Sequence, residues 1–393
     1  MRLFSDYRRI SLVPPITVPR PSDLMLSRIP FQRVNWINSV FLFIISALAV
    51  IAAPIYLVKY GMDWFTGGLM LFYIIATGLS ITLGYHRLFS HLSFKAKWPV
   101  RLATLIFGAC AFENSALCWV SDHRNHHKHT DHDDDPYDIS KGFFWAHMGW
   151  ILFKVEPARP LDNVSDLQKD KFVMWQARWD KWIAALVGLA LPALLCGLWS
   201  GSWVGALGGF LLVGPLRIFL VQQSTFFINS LCHTLGRQPY SRNCSAKDST
   251  LMAFLTFGEG YHNYHHEFQH DYRNGVRAWC FDPTKWMIWL LEKVGLASNL
   301  RRVPNSRILL AEMGEARRRT SEHLEKLAAS GVTVSDRSHQ AVVELLERAT
   351  KSYHELESAT SESVEMSKDK VAQWRRETSE LMSRLAKLTP SLG

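Results

Sequence analysis

Nine histidines in this chain recur at spacings suited to metal ligation. His86 and His91 stand five apart, His123, His126 and His127 read His-x2-His-His, and His262, His265 and His266 repeat that spacing. His233 completes the set, four residues after Asn229. A neutral imidazole offers a nitrogen lone pair at physiological pH, which makes histidine the commonest metal ligand. On a helix, residues three and four apart share a face, so each His-x2-His-His group presents all its rings together. Adjacent histidines diverge by about 100°, which lets His126 and His127, or His265 and His266, serve two different ions. His86 and His91 diverge by about 140° on an unbroken helix; their convergence predicts that the helix ends near His86. Asn229 and His233 share a face.

Nine nitrogen ligands exceed what one ion needs. Two ions with four or five nitrogens each account for them, with Asn229 holding a bound water. Zinc closes at four ligands and favours thiolates in structural sites, and none of the six cysteines stands in ligand spacing. They read instead as small buried apolar groups. Nitrogen-rich sites with open positions suit iron and oxygen chemistry. Carboxylate di-iron bundles use Glu-x-x-His pairs, so this is a different, histidine-rich solution. Asp122 and Glu259 adjoin the ligand groups and are expected to orient imidazole N–H groups, as is His147. His129, His132 and His270 read as neighbours, and the run Asp131, Asp133, Asp134 and Asp135 either orients ligands or faces solvent.

The elements that position these groups follow from the apolar pattern. Of 393 residues, 48% are hydrophobic and 20% charged, and the apolar ones cluster in four runs at about 36–58, 64–85, 182–199 and 203–228. Each is near the length needed to cross a hydrocarbon core of about 30 Å. The expectation is an all-α integral membrane protein with four transmembrane helices and a cytosolic helical cap holding the histidines. Residues 1–35 form a Pro/Arg-rich leader, 36–300 the membrane domain and 301–393 a charged helical extension. Lys and Arg are concentrated in the leader, in the connection after His86 and beyond His266, so positive-inside logic puts both termini and the histidines on the cytoplasmic side. The net charge of +9 suits an anionic leaflet rather than nucleic acid. Residues 101–119, 142–153 and 282–296 are apolar but too short to span, and read as buried or interfacial helices. Arg217 lies within a span and is expected to line the bundle; pairing and substrate contact both remain open. Val342, Leu346, Ala349, Tyr353 and Leu356 step by four and three, a seam that belongs either to a solvated helical hairpin or to an oligomerisation device.

The pattern His-x4-His, His-x2-His-His, His-x2-His-His resembles the membrane fatty acid desaturase family. Gly84-Tyr-His-Arg-Leu-Phe-Ser-His91, Gly258-Glu-Gly-Tyr-His-Asn-Tyr-His-His266, Asn229 with His233, and Gly142-Phe-Phe with His147 and Trp150 are similar to the acyl-CoA delta-9 (stearoyl-CoA) branch of bacterial type. The resemblance covers roughly residues 35–300. It implies two iron ions (Fe2+/Fe3+), O2 as co-substrate and a cis double bond set into a saturated acyl chain for unsaturated fatty acid synthesis. The chain carries no dinucleotide fingerprint, cysteine cluster or appended haem domain, so electrons are expected from an external NAD(P)H-linked reductase through a ferredoxin-type carrier or b-type cytochrome. By position, Trp119 and Thr225 match residues that grip the acyl chain at its bend, Met70 and Ile74 those that cap its tunnel, and Asn114 and Lys154 substrate contacts. Ser121 stands where the branch tends to carry an arginine, and Lys154-Val155 where it tends to carry a basic pair. A nucleotide thioester is polyanionic and gains from basic contacts, so their loss should weaken its binding; acyl-CoA is still expected from the overall resemblance, with phospholipid-esterified chains as competitor. A membrane alkane or lipid hydroxylase shares the histidine pattern. A metal transporter does not fit, because Arg217, Gln222 and Gln223 are the main polar interruptions of the spans. The expected location is a bacterial inner membrane.

Overall fold

The computed structural model describes residues 31–154, 160–330, 336–361 and 367–388; the leader as far as residue 30, and Val155, lie outside them. Two apolar helices open the membrane region, α1 (Trp36–Tyr60) and α2 (Trp64–Ser90). The shorter α3 (Trp98–Ala109) and α4 (Ala116–His129) follow, then two further spans, α5 (Lys171–Ser200) and α6 (Trp203–Thr234). All four spans are long and apolar enough to cross a membrane. Polar residues set where they begin. Asp63 accepts from the N–H groups of Phe65 and Thr66 at 2.9 and 3.1 Å, Asp170 from Phe172 at 3.0 Å, and Ser202 from Gly205 at 3.1 Å. Each satisfies helix N–H donors that lack a partner within the helix. Because Asp170 caps it, α5 starts earlier than the apolar run at Trp182. Its first turns are amphipathic, carrying Arg178, Asp180 and Lys181.

Lipid and protein faces separate along the spans. Ile37, Phe43, Val50, Val58 and Leu198 are exposed, while Trp36, Trp64, Trp199 and Trp203 stand at span ends, the usual place for interfacial tryptophan. Inside, the far half of α2 packs with α3, α4 and α5 around Leu83, Tyr85, Leu105, Val120 and Val173. Gly84 permits the α2–α3 approach, since a Cβ there would lie 2.6 Å from the Thr104 Cβ. Residues 101–119 are therefore two helices, joined by a tight turn. Gly142–Phe153 contains the short helical turns Trp145–Gly149 and Trp150–Leu152. The fourth span kinks at Gly214–Pro215, where Gly214 leaves helical geometry (φ −86, ψ −106).

Beyond α6 come the short α7 (Thr250–Leu255) and α8 (His262–Glu267), then α9 (Pro283–Lys293). Lys95–Ala96 pairs antiparallel with Ala297–Ser298 and fastens the end of this region to the segment after α2. The extension forms α10 (Asn305–Ser330), α11 (Asp336–Ser361) and α12 (Lys368–Leu388). They pack on one another through Leu309, Met313, Leu356 and Trp374, and through Leu345, Ala349 and Leu381. The seam of Val342, Ala349 and Leu356 is thus buried inside the chain. It does not stand open as an oligomerisation stripe. The bundle is anchored to the loop after α6, where Arg242 reaches Glu315 at 2.6 Å and Glu322 at 2.8 Å.

Candidate metal centre

Helix winding brings the first pair together. The run Ser80–Ser90 is wound as a π-helix, and the His91 N–H bonds to the His86 carbonyl at 3.1 Å. In that winding hydrogen bonds run from residue i to i+5, so residues five apart stack. The His86 and His91 rings lie 4.8 Å apart. The helix therefore does not end at His86 as expected; it widens there instead. Ser115 caps α4, accepting from the Cys118 N–H at 3.4 Å, and α4 carries His123, His126 and His127. His233 comes from the end of α6, and His262, His265 and His266 from α8.

The nine rings form two groups. His86, His91, His123, His127 and His265 make one, and His126, His233, His262 and His266 the other; within each, the ligand atoms lie within 4.8 Å of one another. Contacts between Nε2 atoms are short: His86 to His265 2.9 Å, His91 to His123 2.8 Å and His127 to His265 2.9 Å. In the second group, His262 lies 3.1 Å from both His233 and His266. The adjacent histidines split between the groups as their helical phase requires. At most one nitrogen of each Nε2 pair can carry a proton. Burial, reinforced by neighbouring imidazoles, also holds His91, His123, His127, His262, His265 and His266 well below the usual histidine range. These six rings are neutral, and their nitrogens converge within each group. This donor set fits a cation at each group, because metal binding requires deprotonated imidazole.

Outer partners orient the rings through Nδ1. Both Asp135 oxygens lie 2.9 Å from His126 Nδ1, Glu259 lies 2.9 Å from His86 Nδ1, and Ser245 Oγ lies 2.7 Å from His233 Nδ1. The Ser245 N–H in turn donates to Asp131 at 2.6 Å. His270 is placed 2.8 Å from the His91 carbonyl. His147 does not contact the ligand rings as expected; it bridges Ser230 at 2.9 Å and Gln223 at 3.0 Å, tying the 145–152 turns to α6. The Asp run divides, with Asp131 and Asp135 engaged and Asp133 and Asp134 exposed. The main group missed from sequence is Arg87, fully buried between Glu259 at 2.9 Å and Asp282 at 3.0 Å. Its place inside the first histidine group was a signal; Asp282 gave none.

A cavity of about 380 Å³ runs past the histidines, within the usual size for small-molecule sites. His86, His123, Asn229 and Glu259 form part of its wall. Asn114, Asp122, Ser121 and Lys154 supply polar lining, and Phe41, Leu42, Ile81, Phe112 and Phe226 apolar lining. Trp119 stacks on His123 at 4.9 Å, and Glu113 accepts from the Trp119 indole N–H at 3.3 Å and lies 2.9 Å from the Thr225 hydroxyl. Met70 and Ile74 are not among the lining residues. Met70 packs instead with Ala53, Tyr56, Leu211 and Leu212 between the first and fourth spans. The 110–114 turn, where Phe112 and Asn114 have positive φ (59 and 71), contributes Phe112, Glu113 and Asn114 to the lining. Buried Arg217 donates to the carbonyls of Cys110 and Gly188, the latter at 2.9 Å, and Gln222 donates to Phe112 at 3.0 Å. Arg217 thus pins the turn and does not line the cavity.

The fatty acid desaturase family model matches residues 62–287. The chain belongs to the fatty acid desaturase family. It is 40% identical over 286 residues to the probable acyl-CoA desaturase of Schizosaccharomyces pombe, and 37% identical over 297 residues to acyl-CoA desaturase 1 of Saccharomyces cerevisiae. These alignments cover 71% and 75% of this chain, and 57% of each relative's length. It is also 36% identical over 244 residues to the stearoyl-CoA desaturase of Homo sapiens, covering 61% of this chain and 67% of that protein. These relatives are yeast and animal proteins, so they give the bacterial placement no support. As a desaturase-family chain with four apolar spans, this is an integral membrane protein, and both histidine groups lie in or beside the matched region.

Proposed function

We propose that this chain is an O2-dependent acyl-CoA desaturase that introduces a cis double bond, at the delta-9 position, into a saturated acyl chain. The observation that carries this reading is a partly apolar cavity whose wall includes His86 and His123 of the nine-histidine set, and Asn229. Two iron ions would be held by the two histidine groups, with Asn229 acting through a water. When bound, they supply the activation of dioxygen that removes two hydrogens from neighbouring methylenes. The chain's own residues do the rest. Trp119 and Thr225 position the acyl chain at its bend, Phe41, Leu42, Ile81 and Phe226 exclude water along it, and Asn114 and Lys154 meet the polar headgroup. Asp135, Glu259 and Ser245 fix which imidazole nitrogen faces the metal.

One dioxygen, two external electrons and two protons are consumed for each alkene, with two waters formed. A separate carrier and reductase would deliver the electrons. The basic residues flanking the spans support a cytoplasmic location for the histidines and both termini. A second reading, desaturation of phospholipid-esterified chains, is favoured by one observation. Ser121 is engaged with Asn163 at 2.7 Å and offers the mouth no positive charge. Purified, iron-loaded enzyme with a ferredoxin-type reductant is expected to convert stearoyl- or palmitoyl-CoA to the cis-9 product, read by gas chromatography. Turnover of intact phospholipid alone would replace the substrate assignment, and hydroxylated acid without alkene would overturn the reaction.

A further inference from the structure

Glu113 stands in the cavity wall, outside both histidine groups, at the centre of a small hydrogen-bond network. Its Oε2 accepts from the Trp119 indole N–H at 3.3 Å, and its Oε1 lies 2.9 Å from the Thr225 hydroxyl. The same hydroxyl lies 3.3 Å from the Val221 carbonyl. A threonine hydroxyl has one hydrogen, so it cannot donate to both. A protonated Glu113 resolves this: it donates to Thr225, Thr225 donates to Val221, and Trp119 still donates to the carboxyl.

The ionisable groups around it do not favour a charge. Tyr85 faces it from α2, and its hydroxyl already accepts from Gln176 of α5 at 2.7 Å. Asp122 and Glu259 share the cavity, as do His86 and His123, and among its described lining residues Lys154 is the one basic side chain besides histidine. Burial pushes the carboxyl up to about 8, opposed only by the bonds to Thr225 and Trp119. Trp119 carries the consequence toward the metal side through its stack on His123.

We propose that Glu113 is a positioning residue held as a neutral acid, that it fixes the Trp119 indole and the Thr225 hydroxyl at the acyl bend, and that its ionisation expels the acyl chain. This rests on the acyl substrate reading. The charge would face methylenes that cannot solvate it, so ionisation opposes binding rather than chemistry.

The test measures kcat and KM for stearoyl-CoA with the full-length iron-loaded enzyme between about pH 6.5 and 9.5. KM is expected to rise about tenfold per pH unit above about 8, with kcat little changed. Glu113→Gln, which keeps the shape but cannot ionise, is expected to hold KM flat, and Glu113→Leu to raise it at every pH. Binding of a non-reactive stearoyl-CoA ether to the iron-loaded enzyme without reductant should show the same pH limb without turnover. Infrared difference spectra of the wild type should show a protonated carboxyl band that is lost on alkalinisation and absent from Glu113→Gln. An identical alkaline limb in wild type and Glu113→Gln overturns the proposal. Failure of every variant to desaturate at any pH overturns the substrate reading instead, while ether binding still decides the role of Glu113.

Discussion

Replacing Asp135 by asparagine should separate the two proposed metal positions. The carboxylate is buried, with both oxygens 2.9 Å from His126 Nδ1, and it also accepts from the N–H groups of Asp131 and Tyr137 at 3.1 Å each. Asparagine keeps the volume but removes the charge and puts an NH2 group where one oxygen faced His126 Nδ1 and a backbone N–H. Loss of such an outer partner typically costs about 10–100-fold in metal affinity, or about 1.4–2.8 kcal/mol. The loss should fall on the group that contains His126, His233, His262 and His266. Iron per protein, measured by mass spectrometry along a chelator series, should change from one transition to two, with half the iron leaving at about 10–100-fold lower chelator. Asp133→Asn, at an exposed carboxylate in the same run, should leave the curve unchanged. A single transition for Asp135→Asn at the wild-type midpoint would refute the reasoning.

Arg217→Met should lower thermal stability by about 1–3 kcal/mol, because the Cys110 and Gly188 carbonyls lose their buried donor; an unchanged denaturation midpoint would show that the turn does not need it. Met70→Ala and Ile74→Ala should leave acyl chain-length preference unaltered, whereas Phe112→Ala should shift it, as read from products of mixed acyl-CoA pools. Glu315→Ala strips a buried carboxylate from Arg242, Arg318 and Arg319. It should cost about 1–3 kcal/mol and make the loop 237–248 more susceptible to proteolysis. Glu113 is protonated in the folded state up to about pH 8, but in an unfolded chain it ionises near 4.5. Its contribution is therefore full below about 4.5 and is lost as pH rises to about 8, so the wild-type melting temperature should fall relative to Glu113→Gln across that window and run parallel above it.

The histidine partition was legible because helical phase alone separates His126 from His127 and His265 from His266. The spans were legible from apolar run length, apart from the start of α5, where the Asp170 cap outweighed hydropathy. The convergence of His86 and His91 was foreseen, but not its means. A local π-winding leaves no mark in residue type and depends on what packs beside it. Met70 and Ile74 do not line the cavity, and the packing of Met70 with Ala53, Tyr56, Leu211 and Leu212 depends on tertiary contacts that sequence spacing does not show. Asp282 was invisible for the same reason, since it meets Arg87 across 195 residues. The C-terminal seam was legible as a helical periodicity, but a heptad step cannot say whether its partner is solvent, a second chain or the same one.

The division of neighbouring histidines between groups also bears on how the centre is assembled. His126 and His127 have Cα atoms about 3.8 Å apart on one backbone, as do His265 and His266, and the rings of His127 and His266 stack at 4.3 Å across the boundary. Whatever sets the angle of α4 or α8 for one ion sets it for the other. If each group holds an ion, the first to bind would fix the angles of both helices, and the second would find its ligands already aligned. Loading of the wild type should then be cooperative, with half-filled protein scarce unless one group is weakened, as by Asp135→Asn.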